Sequence, residues 1–456
     1  MLALLSSGCD RRESGEPQIR PSILLVTFDT LRADHLGAYG YPEPVSPHFD
    51  ALAERGVLYE RAVAASSRTA PSHATIMTSR YVRDHSIRHH NGATRLGDGT
   101  TLARILSAQG YATAAFVSNA VLQRRIGLDA GFEVFDDELP DREYNRRVYE
   151  RHARGTTDRA VGWLYAAKRP FFLWVHYNDP HGPYTPPRAY WRFSGVAPAG
   201  IEADGEPLPV LDRQRGWRGI PSYQVLGSLR LARQYRALYA GEIRYLDDGL
   251  GRLLEGVEAA AGAEQLVILL TADHGESLGE GGFFFSHGHA TTPELCRVPL
   301  LVVAPGLDAG RSSALVHHVD ILPTLLDLVG VDAPAEAAGL ALARPWRAGT
   351  PLPDRVVFAD IGAEVAAYSE DRFHRARLVG DLGSMPEGSR ASYRWKVDGT
   401  WSEAPPDPVI AERLETYIER ETPENWAPEP GEEDQERLRA LGYLEPTGDA
   451  PAPDAH

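Results

Sequence analysis

Residues 266–277 read LVILLTADHGES: six residues of almost unbroken apolar character, then an abrupt switch to Asp273, His274, Gly275 and Glu276. A short apolar run without alternation is what a strand buried on both faces of a parallel sheet requires. The polar cluster therefore falls at that strand's carboxyl end, the edge where loops converge and ligands sit in an open α/β sheet. The same arrangement recurs twice upstream. SILLVTF (22–28) is followed at once by Asp29, and FFLWVHY (171–177) by Asn178, Asp179, Pro180 and His181. Three buried strands thus deliver Asp29, His181 and the Asp273–His274 pair to one rim. One such pair is as readily a helix cap as a ligand; three strands ending alike point to a divalent-cation site. Carboxylates alone favour calcium or magnesium, whereas an adjacent Asp–His pair shifts the choice toward manganese, zinc or iron.

The 456 residues are enough for one large α/β domain and a smaller one. A formal net charge of -16 excludes a general nucleic-acid binder, whose phosphate contacts need a basic surface. An anionic substrate would need local positive charge from metal, His and Arg within the pocket. Cys9 and Cys296 are the only cysteines, so no disulfide framework supports the fold. No run approaches the ~18 apolar residues of a spanning helix. The start, MLALLSSGCDRRES, has a short apolar segment and small residues before Cys9. It resembles the lipobox of bacterial lipoproteins, although Ser6 stands where Leu is usual and no Lys or Arg precedes the apolar part. The expectation is export to the periplasm with a lipid anchor on Cys9; the alternative is a cytoplasmic chain with an incidental cysteine.

Four segments are expected: a signal remnant and tether (1–20), a catalytic domain (21–332), a smaller C-terminal subdomain (333–446) and a disordered tail (447–456). SPHFDALAERG predicts a short helix with Ser46 as N-cap, Pro47 in the first turn and Gly56 as the stop. SSRTAPSHATIMTSRY (66–81) predicts a second helix with Thr69 at its N-terminus, where free amides and the dipole favour an anion. The plainer role for Thr69 is an N-cap. A loop carrying His85 and Asn91 precedes a helix (TTLARILSAQ) and a strand (YATAAFVS). Residues 183–222, rich in Pro, Gly, Trp and Arg, read as an excursion over the rim that would set selectivity. Residues 228–261 predict a long amphipathic helix, RVPLLVVAP (297–305) a buried strand, and HVDILPTLLDLVG a helix with Asp320 as cap. Beyond 331, RVVFADI, RFHRARLVG and SYRWKVDG predict a small antiparallel sheet. A Pro/Glu-rich stretch (403–436) and a last helix, DQERLRALGYL, follow.

Together VTFDTLRADHLGAYGY, TAPSHATIMTSRY, HYNDPHGPY, TADHGESLGE, HGH…ELCRVPL and HVDILPTLLDLVG resemble the sulfatase branch of the alkaline phosphatase superfamily, in the family's order over residues 22–330. The resemblance implies a large, mostly parallel α/β sheet flanked by helices, with a small C-terminal α+β subdomain. It makes Asp29, Asp273 and His274 metal ligands, places Thr69 at the nucleophile position and sets His181 against the substrate anion. The implied cofactor is one divalent ion, manganese, zinc or calcium, with a second weaker ion at His181 and His287 as an alternative to direct substrate contact.

Classical sulfatases carry Cys-x-Pro-Ser-Arg or Ser-x-Pro-Ser-Arg, whose first residue becomes formylglycine. Here the stretch is Thr69-Ala70-Pro71-Ser72-His73. Threonine is a secondary alcohol that cannot be oxidised to an aldehyde, and the Arg is replaced by His73. A Thr nucleophile resembles instead the phosphodiesterase and phosphoethanolamine-transferase branches, although this chain lacks the membrane helices of the transferases. The expected enzyme is a metal-dependent hydrolase of sulfate or phosphate esters acting through metal-activated Thr69. Its substrate would be an anionic glycan, lipid or small molecule. His181, His287 and Asn91 would hold the equatorial oxygens, and His289 or His181 would protonate the leaving group. His73 and Arg80 join Asn91 as substrate contacts, with Arg32 and Arg68 as lesser candidates. Asp179 is expected to orient His181. The rival reading is a binding protein that keeps the fold without the chemistry.

Overall fold

The computed structural model describes residues 20–420 except 86, 88–94, 98, 147, 198–200, 202–204, 214 and 381–384. Cys9, the tether, Asn91, the 434–444 segment and the tail lie outside the described residues. The main sheet has eight strands: β1 (Ser22–Phe28), β2 (Val57–Val63), β3 (Ala112–Phe116), β4 (Val134–Asp136), β5 (Phe171–Tyr177), β6 (Leu266–Ala272), β7 (Arg297–Val303) and β8 (Gly310–His317), in the order β8-β2-β7-β6-β1-β5-β3-β4. β7 runs antiparallel to both its neighbours, and every other pairing is parallel. β1, β5 and β6 are buried at every residue, as their unbroken apolar runs require.

Register places the rim residues. Phe28 lies opposite Tyr177 on one side and Ala272 on the other. The ladder continues one step, with the Asp29 amide donating to Tyr177 O at 2.9 Å and the Asp273 amide to Phe28 O at 3.0 Å. Adjacent strands stand about 4.8 Å apart, so Asp29, Asn178 and Asp273 meet as neighbours.

Helices cover both faces, and one apolar core runs through the sheet to them. α1 (Pro47–Ala53) ends before Gly56, and Ser46 does not cap it with its side chain. Asp247, from the 30-residue helix α5 (Ala232–Ala261), accepts from the His48 and Phe49 amides at 2.9 Å each instead. A cap of this kind contributes about 1 kcal/mol and here welds two helices far apart in sequence. Between them come α2 (Thr69–Thr78), α3 (Leu102–Ala108) and α4 (Ala153–Leu164). In α6 (Ile321–Leu328) Asp320 makes no cap bond either; its carboxylate accepts from the His317 and Leu340 amides and pairs with Arg355. No helix among the described residues is long and apolar enough to cross a membrane.

The C-terminal sheet is an antiparallel meander, β9 (Val357–Asp360), β10 (Glu364–Tyr368), β11 (Arg372–Arg377), β12 (Arg390–Trp395) and β13 (Trp401–Glu403). It is covered by α7 (Pro408–Ile418). That helix lies within the Pro/Glu-rich stretch 403–436, to which the sequence reading assigns no element. Its start was legible, since Asp407 accepts from the Val409 and Ile410 amides and Pro408 fills the first turn. The meander grips the loop after His287. Glu364 Oε1 accepts from the Thr291 amide and hydroxyl at 2.8 Å each, the Tyr368 hydroxyl donates to Thr291 O at 2.6 Å, and Arg377 donates to His289 O at 3.2 Å.

Candidate active site

All ten residues of α2 are buried, so its polar side chains need internal partners. Ser72 Oγ donates to Ser66 O, Thr75 Oγ1 pairs with His85 Nε2, and Thr78 Oγ1 donates to Ala74 O. His73 ties the helix to the sheet: Nδ1 lies 2.8 Å from Thr69 O and Nε2 2.9 Å from Thr27 Oγ1, to which Trp174 also donates. A carbonyl only accepts, so Nδ1 carries the proton and Nε2 takes the Thr27 hydroxyl. Burial lowers the His73 pKa to about 4, keeping the ring neutral. His73 therefore does not face a substrate, contrary to expectation. It fixes the first turn of α2, and with it Thr69.

At that turn four groups converge. Asp29 Oδ2 accepts from Asn119 Nδ2 at 2.6 Å, while Oδ1 has no partner. Asp273 Oδ1 accepts from the His274 amide at 2.7 Å and the Thr30 amide at 3.2 Å, while Oδ2 has none. His274 Nδ1 donates to Gly275 O at 2.9 Å, which leaves Nε2 as an unprotonated acceptor facing the Thr69 hydroxyl. Nε2 lies 3.6 Å from Asp273 Oδ2, 3.8 Å from Asp29 Oδ1 and 3.3 Å from Thr69 Oγ1. Burial pushes both carboxyls well above the usual range, Asp29 being pushed further by Glu276 and Asp273 by Asp29. Burial also holds His274 well below the ordinary imidazole value, so it is neutral.

Such an arrangement suits a cation. Each bare buried oxygen costs about 1–3 kcal/mol unless something binds it. Ligands ~2.1 Å from an ion in tetrahedral array stand about 3.4 Å apart, close to the separations here. Asp29, Asp273 and His274 could hold the ion, with Thr69 at the fourth corner. A second group, His73, His176 and Asp273, is also close enough to be considered. His73 has no free nitrogen, so that group fails as a site. Two backbone features keep the trio in place. Thr30, a β-branched residue at φ 55°, bears strain of about 1–3 kcal/mol to aim its amide at Asp273. Gly275 passes so near Glu294 that a Cβ would stand 2.1 Å from the Glu294 carbonyl oxygen.

Around the trio lies a ring of imidazoles and amides. The His287 ring is 4.6 Å from that of His274 and 5.1 Å from that of His181. His287 Nδ1 is 3.2 Å from Glu276 Oε1, and burial lowers its pKa to about 3. Burial pushes Glu276 well up, opposed by a hydrogen bond from Tyr184 and by Arg32. Arg68, next to Thr69, donates to Gly288 O at 3.2 Å. Asn119 also donates to Asn178 Oδ1 at 2.8 Å, and Asn178 in turn donates to Glu150.

Other expected residues fall elsewhere. His289 stacks on Phe283 at 3.9 Å with Nε2 3.4 Å from Ser277 Oγ, turned into the loop packing. Arg80 follows the far end of α2, a helix about 15 Å long, and is not brought to Thr69. Asp179 faces His152 and the Ala153 amide at the start of α4, so it does not orient His181. Arg32 is held by Asp34, Glu280 and Glu276 O. Asn119, Asn178, His176 and Glu276 were not assigned roles from sequence. Asn119 had the signal used for Asp29, a polar residue just past a buried strand, and His176 stood as a lone imidazole inside an apolar run.

Known proteins of similar sequence and fold include sulfatases and a phosphonate monoester hydrolase. The N-acetylglucosamine-6-O-sulfatase of Bacteroides thetaiotaomicron is 25% identical over 412 residues, covering 75% of this chain and 73% of that protein. The phosphonate monoester hydrolase of Agrobacterium radiobacter superposes with a TM-score of 0.65 at 20% identity, over 88% of this chain and 94% of that one. A chain solved in complex with its substrate D-glucosamine-2-N,6-O-disulfate gives a TM-score of 0.65 at 20% identity, over 82% and 91%. Residues 21–331 match the model of the Sulfatase family, and the chain belongs to that family.

Proposed function

We propose that the protein is a sulfuric-ester or phosphoric-ester hydrolase in which the Thr69 hydroxyl is itself the nucleophile, without formylglycine. The observation that carries this reading is the 3.3 Å approach of Thr69 Oγ1 to His274 Nε2, beside two unpartnered carboxylate oxygens. Asp29, Asp273 and His274 would hold a divalent cation, which when bound supplies charge that lowers the pKa of the Thr69 hydroxyl and offsets that of the ester oxygens. Thr69 Oγ1 attacks sulfur or phosphorus, the substrate's alcohol leaves, and a covalent Thr69 ester remains for water to cleave. The N-terminus of α2 adds amides that favour the anion. His181 and His287 are the imidazoles beside the centre, and Arg68 the nearby cation.

The two glycan-directed relatives support a sulfated sugar as substrate, and the phosphonate monoester hydrolase supports a phosphoryl group. The test is turnover of nitrophenyl sulfate, phosphate and phosphodiester with and without chelator. Thr69→Ala should lose at least about a thousandfold in kcat and Thr69→Ser should keep most of it. Peptide mass should show an unmodified Thr69. Undiminished turnover in Thr69→Ala would remove the nucleophile, and failure to cleave any ester under any metal would favour a binding protein.

A further inference from the structure

Near Asp29 a narrow cleft is lined in part by Asn119, Asn178, His181, Glu143, Arg146 and Glu150. The Glu150 main chain pairs with Asn119, and its Oε2 accepts from Asn178, whose main-chain carbonyl takes the His181 amide at 2.7 Å. Asn119 in turn donates to both Asn178 and Asp29, so two side-chain amides link Glu150 to Asp29. Glu150 is buried, yet its other oxygen, Oε1, has no partner among the described residues and opens to the cleft. Glu143, by contrast, is taken up by Arg146, which grips both its oxygens at 2.5 and 2.8 Å. Holding Asn178 needs a single acceptor, and a glutamine would supply one without the cost of burying a carboxyl. The second oxygen is what sets Glu150 apart from a brace. The cleft is tight, about 10 Å³ inside, which admits one hydroxyl or water and excludes a ring or a trimethylammonium head.

We propose that Glu150 is a specificity-determining residue: its Oε1 binds a hydroxyl that stands beside the ester on the substrate's alcohol. That alcohol is then a polyol or a sugar and not a simple alkyl alcohol, an inference that rests on the hydrolase reading above. Three features point to a hydroxyl. The space fits one. His181 and Asn119 share the cleft, which sets the group next to the reacting ester and not at the far end of a long substrate. Burial, then Glu143 and Asp179, push the Glu150 carboxyl well above its usual range, and a hydroxyl suits either form, since it donates to a carboxylate and accepts from a carboxylic acid. An ammonium only donates and needs the charged form. No bond is made or broken in the cleft; Glu150 orients the alcohol and leaves the chemistry to Thr69.

The test is a ratio of kcat/KM values on the metal-replete protein: the 2-hydroxycyclohexyl esters, cis and trans, against the plain cyclohexyl ester, as sulfate and as phosphate. Wild type should favour the better hydroxy isomer about 10- to 100-fold, the effect of one buried hydrogen bond. Glu150→Ala should bring the ratio close to one, whatever happens to the rate on the plain ester. A role confined to bracing Asn178 would slow all the esters alike and leave the ratio intact. Glu150→Gln keeps a polar group in the cleft and should retain much of the preference. A wild-type ratio near one overturns the proposal, as does a preference that survives in Glu150→Ala. So does faster cleavage of the 2-aminocyclohexyl ester than of the hydroxy ester, which would make the cleft an ammonium site. Where none of these esters turns over, saturation-transfer NMR compares their binding, while the nitrophenyl esters decide the hydrolase reading separately. Tighter binding of the hydroxy ester by wild type than by Glu150→Ala then upholds the assignment, and equal binding overturns it.

Discussion

Replacing Asp273 with Asn should stabilise the chelator-treated protein while abolishing its stabilisation by metal. The facing oxygens of Asp29 and Asp273 lie within 4.8 Å of each other and neither residue is exposed. Two charges at that distance, at an effective dielectric of ~20, repel by about 3 kcal/mol. Asn keeps Oδ1 for the Thr30 and His274 amides and turns an N–H toward Asp29, so the repulsion is lost without a new orphan. For 456 residues at ~2.1 cal/mol/K each, the unfolding entropy is about 1 kcal/mol/K, and the gain corresponds to about 3 °C in Tm. The sign depends on pH. Both carboxyls are raised in the fold, so the metal-free fold takes up protons more readily than the unfolded chain. The stability tied to those protons is full below about pH 4 and is lost as pH rises through the raised values. The Asn variant should show much less of this decline. With saturating ion the order reverses, because wild type gains about 2.7 kcal/mol at one hundred times Kd and the variant lacks a ligand. Scanning calorimetry from pH 5 to 9, in chelator and in manganese or zinc, measures both arms. A variant less stable than wild type in chelator at pH 8, or an equal ion-induced shift in the two proteins, would refute the reasoning.

Asn119→Ala removes the 2.6 Å bond to Asp29 and should weaken metal affinity 10- to 100-fold in calorimetric titration; unchanged affinity would deny Asn119 any part in holding the ligand. Arg375→Met takes from the wholly buried Glu364 its hydrogen bonds at 2.9 and 3.0 Å, leaving Arg377 at 3.8 Å and Thr291 as its partners, and should cost about 3 kcal/mol in urea unfolding. Glu364→Gln in the same chain should recover most of that loss. A single variant as stable as wild type would show the pair to be dispensable.

The sheet was legible because three of its central strands, β1, β5 and β6, are buried on both faces, and their apolar runs end in charge. β2 and β8 were not, because VLYERAV and GRSSALVH carry polar residues and lie toward the sheet edge, where only part of each strand needs to be apolar. Asp29, Asp273, His274 and Thr69 were readable as a group, since each follows a buried strand or begins a helix and register does the rest. What escaped was the partnering of long side chains. The ties of His73 to Thr27 and of Glu276 to His287 depend on how α2 and the 287–292 loop lie on the sheet, which no spacing in the sequence encodes. Cap assignments failed for the same reason, because Asp247 reached α1 from another part of the chain.

The anchors of the histidine loop, Glu364, Tyr368 and Arg377, leave the ribosome well after Asp29, Thr69, Asp273 and His274. The loop that carries His287 and His289 is therefore fixed by residues made after it, and a chain cut short before residue 364 would have Asp29, Thr69, Asp273 and His274 but none of the hydrogen bonds that Glu364, Tyr368 and Arg377 make to that loop.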